Sequence, residues 1–334
     1  MGRPLLEDVD EVAADAAFSG VVRVDRGGEL VLEQAYGLAD RSYEIANRAD
    51  TRFGIASGAK TMTALAVVSL VEEGRLALDT LARSLLGDDL PLVADDVTVE
   101  HLLAHRSGIG DYLDEEAGGP ITDYVMPVPV HALAVTEDFL AVLDGFPTKF
   151  AAGTAFSYCN GGYVVLALLA ERASGVPYHD LVQQRVCEPA GMSATSFLRS
   201  DELPGDAARG YLEVEGLRTN ALHLPVRGSG DGGIYTTAAD VRRLWEALFG
   251  GRIVSEAWVG EMIRRRSDAG EGFGYGLGFW LRPAGDTPFL EGYDAGVSFR
   301  SLCDPATDTT CTVIANWSDG AWPLARHLAE QLRL

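Results

Sequence analysis

The sequence predicts an α+β fold in which one antiparallel sheet, built from both ends of the chain, is flanked by helices and carries a mostly helical insertion. Three observations support this prediction. Residues 18–38 alternate in polarity as strands do, residues of about 60–250 are mostly helical in pattern, and strand-like segments return after residue 274. We assign residues 1–58 and 250–334 to the sheet region and 59–249 to the helical region of one unit. A cleft between the two regions is the expected place for a ligand.

The strands of the sheet region are separated by short turn signals. Phe18 to Asp25 reads as a strand, Gly27 and Gly28 as a turn, and Glu29 to Leu38 as the partner strand. At the other end, the predicted strands and the last helix span residues 274–281, 298–303, 311–317 and about 322–334.

The helical region opens directly after Ser57. Met62, Leu65, Ala66 and Leu70 follow at spacings that place them on one helix face, and Gly74 is a plausible C-cap. Further helices are predicted at 99–105, 136–143, 161–174, 178–186 and 238–249, with long loops at 107–131 and 199–233.

Composition excludes several classes of partner. The 334 residues include 27 basic and 49 acidic side chains, a formal charge of −22, which repels nucleic-acid phosphates and anionic membranes. We therefore expect neither a nucleic-acid nor a membrane partner. Acidic residues come too early for a secretory signal, so a cytoplasmic location is expected. The four cysteines lack CxxC spacing and are interpreted as thiols, although Cys303 and Cys311 could face each other across a hairpin.

Ser57 and Lys60 form an S-x-x-K sequence at the start of a predicted helix. Residues three apart share a helix face, so the amine can reach the serine hydroxyl. A serine needs a base to become nucleophilic, and a desolvated lysine can serve as one. Only two of the 27 basic residues are lysines, Lys60 and Lys149. Since arginine cannot lose its proton, a lysine kept at position 60 suggests chemistry rather than a solvated surface charge.

Tyr158 and Asn160 begin a second predicted helix, after the turn at 153–157. A tyrosine beside a lysine can have a lowered pKa and exchange protons with a substrate. Asn160 can hydrogen-bond both the lysine and the substrate. Taken alone, the pair is better explained as a packed aromatic ring followed by an N-cap asparagine.

Six segments in this order resemble the serine β-lactamase/penicillin-binding-protein superfamily, and most closely its class C-like branch of esterases, D-peptidases and β-lactamases. One segment, 102–109, is close to the family's LLTHTSGL stretch, and 158–163 matches its Y-x-N segment. The six segments are 53–60, 73–79, 102–109, 158–163, 188–192 and 232–240. The resemblance, which extends over about residues 18–317, implies a β-lactamase/DD-peptidase-like fold.

The resemblance also implies roles. Ser57 would be the nucleophile of an acyl-enzyme, Lys60 would assist its deprotonation, and Tyr158 would act as general base and return the proton to the leaving group. Asn160 would position the lysine and the substrate. An oxyanion hole would use the backbone N–H of Ser57 and one from an edge strand. No cofactor or metal is implied.

The third family motif, K-T-G or H-x-G, is altered in this chain. The matching stretch, 290–301, contains no Lys or His. Tyr293 aligns best with the missing basic residue, with Glu291 as the alternative, and Gly296 falls near the expected oxyanion-hole donor. In β-lactamases the basic residue helps to hold the substrate carboxylate. Its loss therefore favours small esters or amides without that carboxylate over classical β-lactams.

Several other functions fit less well. His101 and His105 are spaced as a metal pair, but no HExxH motif or third ligand accompanies them.

Among the enzyme activities, the order of preference is esterase, then amidase or D-peptidase, then β-lactamase. The rival from another class is a non-catalytic binding protein on the same fold. The oligomeric state is left open.

Overall fold

Strands from the two ends of the chain lie side by side in one antiparallel sheet. The computed structural model describes residues 5–283 and 285–334. In this part of the chain the eight-stranded sheet has the order β2-β1-β12-β11-β10-β9-β8-β7, and two small two-stranded sheets pair β3 with β4 and β5 with β6. The strands are β1 Gly20–Arg26, β2 Glu29–Tyr36, β3 Leu38–Asp40, β4 Ile45–Ala46, β5 Phe53–Gly54, β6 Tyr235–Thr236, β7 Ser267–Gly270, β8 Phe273–Tyr275, β9 Trp280–Leu281, β10 Pro288–Asp294, β11 Val297–Asp304 and β12 Thr309–Ala315.

The helices lie mainly between β5 and β7, and the predicted α+β architecture is confirmed. Their bounds are α1 Leu5–Asp15, α2 Ala59–Glu72, α3 Arg83–Leu86, α4 Val99–Leu103, α5 Leu140–Leu143, α6 Asn160–Ser174, α7 Tyr178–Val182, α8 Glu188–Ala190, α9 Ala238–Phe249, α10 Glu256–Met262 and α11 Ala321–Leu332. Among the described residues no helix is long and apolar enough to span a bilayer.

The alternation of side chains along the central strands produces two cores. In β1, Val21 contributes to the core shared with α2, α6 and α9, whereas Val22 contributes to the core shared with α1 and α11. Their partners across β12 follow the same rule, since Val21 faces Ile314 and Val22 faces Val313. The period of two residues thus lets one sheet bury both faces.

Helix α2 lies in the middle of the larger core. The sequence predicted one apolar face, but the helix is buried on all sides from Ala59 to Leu70, because α6, α7 and the sheet surround it. Gly74 follows the C-cap Glu73 with φ +74°, in the left-handed conformation that glycine adopts readily. The nucleophile candidate at the start of α2 is therefore attached to a helix that is closely packed on all sides.

Some element boundaries differ from the prediction. Residues 183–187 wind as a π-helix after α7, and the predicted strand at 274–281 is broken into β8 and β9 by a turn. Helix α9, which was placed in the helical region, packs against β1 and β12. The division at residues 58 and 250 stays a prediction.

The cysteines of the hairpin β11–β12 do not face each other. Cys303 pairs with Thr310 and Cys311 with Leu302, so the two sulfurs lie on opposite faces of the sheet, one in each core. All four cysteines are buried free thiols, as interpreted from their spacing.

Candidate active site

The serine at the start of α2 lies on a tight turn. Ala56–Gly58 forms one 3-10 turn, and Ala56 has φ +45°, a left-handed conformation that is uncommon for a residue with a side chain. Strand β10 packs against this turn: a Cβ on Gly292 would lie 2.0 Å from the carbonyl oxygen of Ile55. The turn and the glycine together bring the backbone of β10 close to Ser57.

The Lys60 ammonium nitrogen lies at the centre of the site. Its Nζ atom is 2.9 Å from Ser57 Oγ, 2.7 Å from Asn160 Oδ1 and 2.8 Å from the carbonyl oxygen of Asp231. The side chain is 98% buried, and burial lowers the pKa of Lys60, although the carboxylates of Asp231 and Glu115 oppose the shift. Two of the three partners are carbonyl oxygens that can only accept. In its neutral form the amine can give its two hydrogens to these oxygens and direct its lone pair at the serine hydroxyl.

Asn160 is held in place by a buried aspartate at the N-terminus of α6. Asp111 accepts hydrogen bonds from the backbone N–H groups of Asn160 at 2.6 Å and Gly161 at 2.8 Å. The amide of Asn160 then spans the site, because its Oδ1 accepts from Lys60 while its Nδ2 donates to Glu115. Burial raises the pKa of Asp111 to about 6. Sequence reasoning found Asn160 and missed Asp111, which lies in a loop with no motif of its own.

Tyr158 completes the cluster above Lys60. Lys60 Nζ lies 4.9 Å from the centre of its ring, and Ser57 is among the polar neighbours that act on the Tyr158 hydroxyl. The ring stacks on Trp280 with centroids 5.7 Å apart and tilts against His105 at 4.3 Å. The expected lowering of its pKa is wrong, since burial raises the pKa of Tyr158 well above its usual value. The phenol is thus neutral before substrate arrives.

The two histidines of the possible metal pair have other partners. His101 Nδ1 accepts from the backbone of Thr98 in a capping box at the start of α4. His105 Nδ1 accepts from the backbone N–H of Cys159, and burial lowers the pKa of His105 well below its usual value. His105 is therefore neutral, and its ring packs against the ring of Tyr158.

A cleft of about 910 Å³, open to solvent, lies in front of Ser57. Its walls come from the two long loops that the sequence predicted at 107–131 and 199–233, together with the end of β10. Residues on these walls include Tyr112, Glu115, Asn160, Ser229, Asp231, Tyr293 and Asp294.

The sequence profile of the Beta-lactamase family matches residues 7–333. The chain belongs to this family. Penicillin-binding protein of Bacillus halodurans superposes with a TM-score of 0.91 at 34% identity, and the match covers 97% of this chain and 99% of that one.

Two curated members of the Beta-lactamase family show how varied the relatives are. Esterase EstB of Burkholderia gladioli is 33% identical over 72% of this chain and 68% of its own length. Putative penicillin-binding protein PbpX of Bacillus subtilis is 28% identical over 83% of this chain. This chain spans 66% of the length of PbpX, slightly less than two thirds.

The stretch that matches the third motif of the Beta-lactamase family contains no Lys or His, and the role of its two candidate replacements stays a prediction. The ring of Tyr293 packs near Trp322 of α11, and Tyr293 also borders the cleft. Glu291 forms an ion pair with Arg300 on β11, outside the cleft. The side chains of Glu291 and Tyr293 lie on the α11 side of β10, because residues two apart on a strand face the same way. Asp294, which follows Tyr293, lines the cleft.

Gly296 also differs from its expected role. Its N–H donates to Ser318 Oγ at 2.9 Å, and a Cβ there would touch Gly210 and Tyr211. The donor is thus already used in the turn between β10 and β11, so Gly296 is not the oxyanion-hole donor. The pairing of β10 with β9 involves only Pro288 and Phe289, which leaves the later part of β10 to face the serine turn.

Proposed function

We propose that this protein is a serine hydrolase that forms an acyl-enzyme on Ser57 and cleaves small-molecule esters or amides. The observation that carries the proposal is the contact of the buried Lys60 amine with Ser57 Oγ at 2.9 Å. A buried lysine with a lowered pKa has a physical cost, because its charged form loses hydration. The cost has a function if the Lys60 amine must accept a proton from Ser57, because a lowered pKa keeps the amine able to do so.

Acylation would begin with proton transfer from Ser57 Oγ to the neutral amine of Lys60. The Ser57 oxygen forms a bond to the substrate carbonyl carbon, and negative charge develops on the carbonyl oxygen beside the Ser57 N–H. Collapse breaks the bond to the leaving group. Tyr158 gives that group its hydroxyl proton and is reprotonated from Lys60, so the net result is the transfer of one proton from Ser57 to the leaving group.

Deacylation would repeat these transfers with water. Water loses a proton through Tyr158 and Lys60, attacks the acyl carbon, and Ser57 Oγ leaves with a proton. In this scheme Lys60 is the base and Tyr158 the relay, a division that follows from the opposite shifts of their pKa values.

Esters and amides are preferred over β-lactams because the third motif lacks its cation. The cleft presents the carboxyl group of Asp294, and no lysine or arginine lines it among the described residues. A carboxylate repels the carboxylate of a classical β-lactam rather than holding it. EstB, an esterase by name, supports this preference.

Fluorophosphonate labelling tests the proposal. Wild-type protein should gain the mass of one phosphonyl group at Ser57, and Ser57→Ala should gain none while its thermal melt is largely unchanged. Folded wild-type protein that resists labelling would instead favour a binding protein on the same fold.

Comparing turnover of p-nitrophenyl butyrate with that of a chromogenic cephalosporin tests the substrate preference. We expect the ester to be cleaved faster. A faster cephalosporin reaction would overturn the argument from the missing cation.

A further inference from the structure

The cleft in front of Ser57 is lined by carboxyl groups without a matching cation. Asp294 and Asp231 line it, and Glu115 stands at its exposed edge. Among the described residues that border the cleft there is no lysine or arginine, and Lys60 lies beneath the floor with its amine already bound to three oxygens. The negative charge of the cleft therefore exceeds what the site itself neutralises.

Asp294 has a carboxyl oxygen that accepts no hydrogen bond. Its Oδ1 accepts one, from the backbone N–H of Ala295 at 2.9 Å, and it forms no ion pair within the described chain. Asp231 and Glu115 also accept one side-chain hydrogen bond each, from the Tyr112 hydroxyl and from the Asn160 amide. Asp294 differs from both because its bond comes from the adjacent backbone rather than from another side chain of the site, so it retains an oxygen for a bound molecule.

The charges of the three carboxyl groups act on one another. The pKa of Asp294 is raised to about 7, mainly by burial and also by Asp231 and Glu115, while the Ala295 N–H and Lys60 oppose the shift. A cation in the cleft would reverse the effect of burial and stabilise the ionised form.

A second polar group in the cleft lacks a partner. Ser229 is 99% buried, its hydroxyl has no hydrogen-bond partner in the described chain, and the residue lines the same cleft. A buried hydroxyl without a partner lowers stability, so such groups usually meet a ligand or a water molecule. Its oxygen can accept a hydrogen bond from an N–H donor.

The cleft does not have the arrangement of a metal site. No group of three or more metal-ligating side chains is found among residues 5–283 and 285–334. Separated carboxyl groups and a hydroxyl suit instead a cation that spreads its charge over several N–H donors, as a protonated amine does.

We propose that the natural substrate carries a protonated amine, which Asp294 binds with Ser229 while Asp231 and Glu115 add favourable charge. The proposal rests on the proposed function, because it names the chemical class of the molecule that Ser57 attacks. It assigns to Asp294 the opposite selectivity from that of the family's third-motif cation, which attracts an anionic substrate group.

Two substrate pairs of similar shape test the proposal on either side of the scissile bond. 2-(Dimethylamino)ethyl butyrate, whose nitrogen is protonated and keeps an N–H donor, and 3-methylbutyl butyrate differ in a positive charge on the leaving group. The p-nitroanilides of alanine, in both enantiomers, and of propionic acid differ in an amine on the acyl group. In at least one pair we expect kcat/KM of the cationic member to exceed that of the neutral member at least tenfold.

Asp294→Asn should lower that cationic-to-neutral ratio at least tenfold, because the amide keeps the shape and loses the charge. Glu291→Gln is the matched control. It removes one charge from the same strand outside the cleft, and the ratio should stay within twofold of wild type. Should Asp294→Asn not fold, Ser229→Ala should lower the ratio instead, by removing an N–H acceptor.

A wild-type ratio near one in both pairs, or a ratio that Asp294→Asn leaves intact, would overturn the proposal. These failures are distinct from failure of the proposed function. If the proposed function itself were wrong, Ser57 would not react with the fluorophosphonate, and the neutral members of the pairs would not be cleaved either.

Discussion

The partly buried carboxyl group of Asp294 should make the folded protein less stable at alkaline pH. Its pKa is about 7 in the folded state, against 3.8 as the ordinary value. Between these values the folded state holds a proton that the unfolded chain releases, so stability falls as the pH rises through this window and stays reduced above it. Each pKa unit corresponds to about 1.4 kcal/mol, which gives an upper limit of about 4 kcal/mol.

Asp294→Asn removes this cost. The amide oxygen can still accept from the Ala295 N–H, and solvent in the cleft can satisfy the new NH₂ group. Because solvent in the cleft also screens the charge, we expect a gain of about 1–2 kcal/mol at pH 8 and a smaller gain at pH 5. Urea unfolding of both proteins at the two pH values measures the difference. An equal gain at both, or a loss at pH 8, would refute the reasoning.

Three further predictions concern the proton path. Lys60→Arg should reduce ester turnover at least a hundredfold, because arginine keeps its proton. Circular dichroism checks that the variant is folded, and an active variant would remove Lys60 from the scheme. Tyr158→Phe should keep the stack on Trp280 yet lower kcat by about 10²–10⁴; near-normal kcat would exclude the relay. For wild type, kcat/KM on a neutral ester should rise with pH through a pKa below 10.5, the ordinary value for lysine, and a flat profile would contradict the role of Lys60 as base.

The nucleophile and its partners were predictable because their signals are local. The spacing of Ser57 and Lys60 is that of one helix face, and Asn160 begins a helix whose start the sequence marks. The contact between Lys60 and Asn160 joins residues a hundred positions apart, so it belongs to the tertiary structure. Each of the two residues nevertheless lies in a motif that a short segment of the sequence contains.

Acidic residues of the site were not predictable in the same way. With 49 acidic side chains in the chain, no pattern distinguishes Asp111 or Asp231 from the many that are solvated. Their importance comes from burial and from contacts with distant elements.

The side chains at the third motif could not be placed from the sequence, for a geometric reason. Successive residues of a strand point to opposite faces, so choosing a neighbouring residue reverses the direction of the side chain. The short turn at Ala295 and Gly296 ends β10 directly after Asp294. Tyr293 therefore packs toward α11 although it borders the cleft, and Asp294 lines the cleft as well.

The pairing of β1 with β12 has a consequence for how the protein is made. Gly20 lies opposite Ala315, so a strand translated early finds one of its neighbours only when nearly all of the described chain has left the ribosome. Until then Val22 and Val24 have no β12 to cover them, and the β1–β2 hairpin presents an open edge. A nascent chain of this fold must therefore remain soluble until β12 has been synthesised. During that time, on the ribosome, aggregation competes with folding.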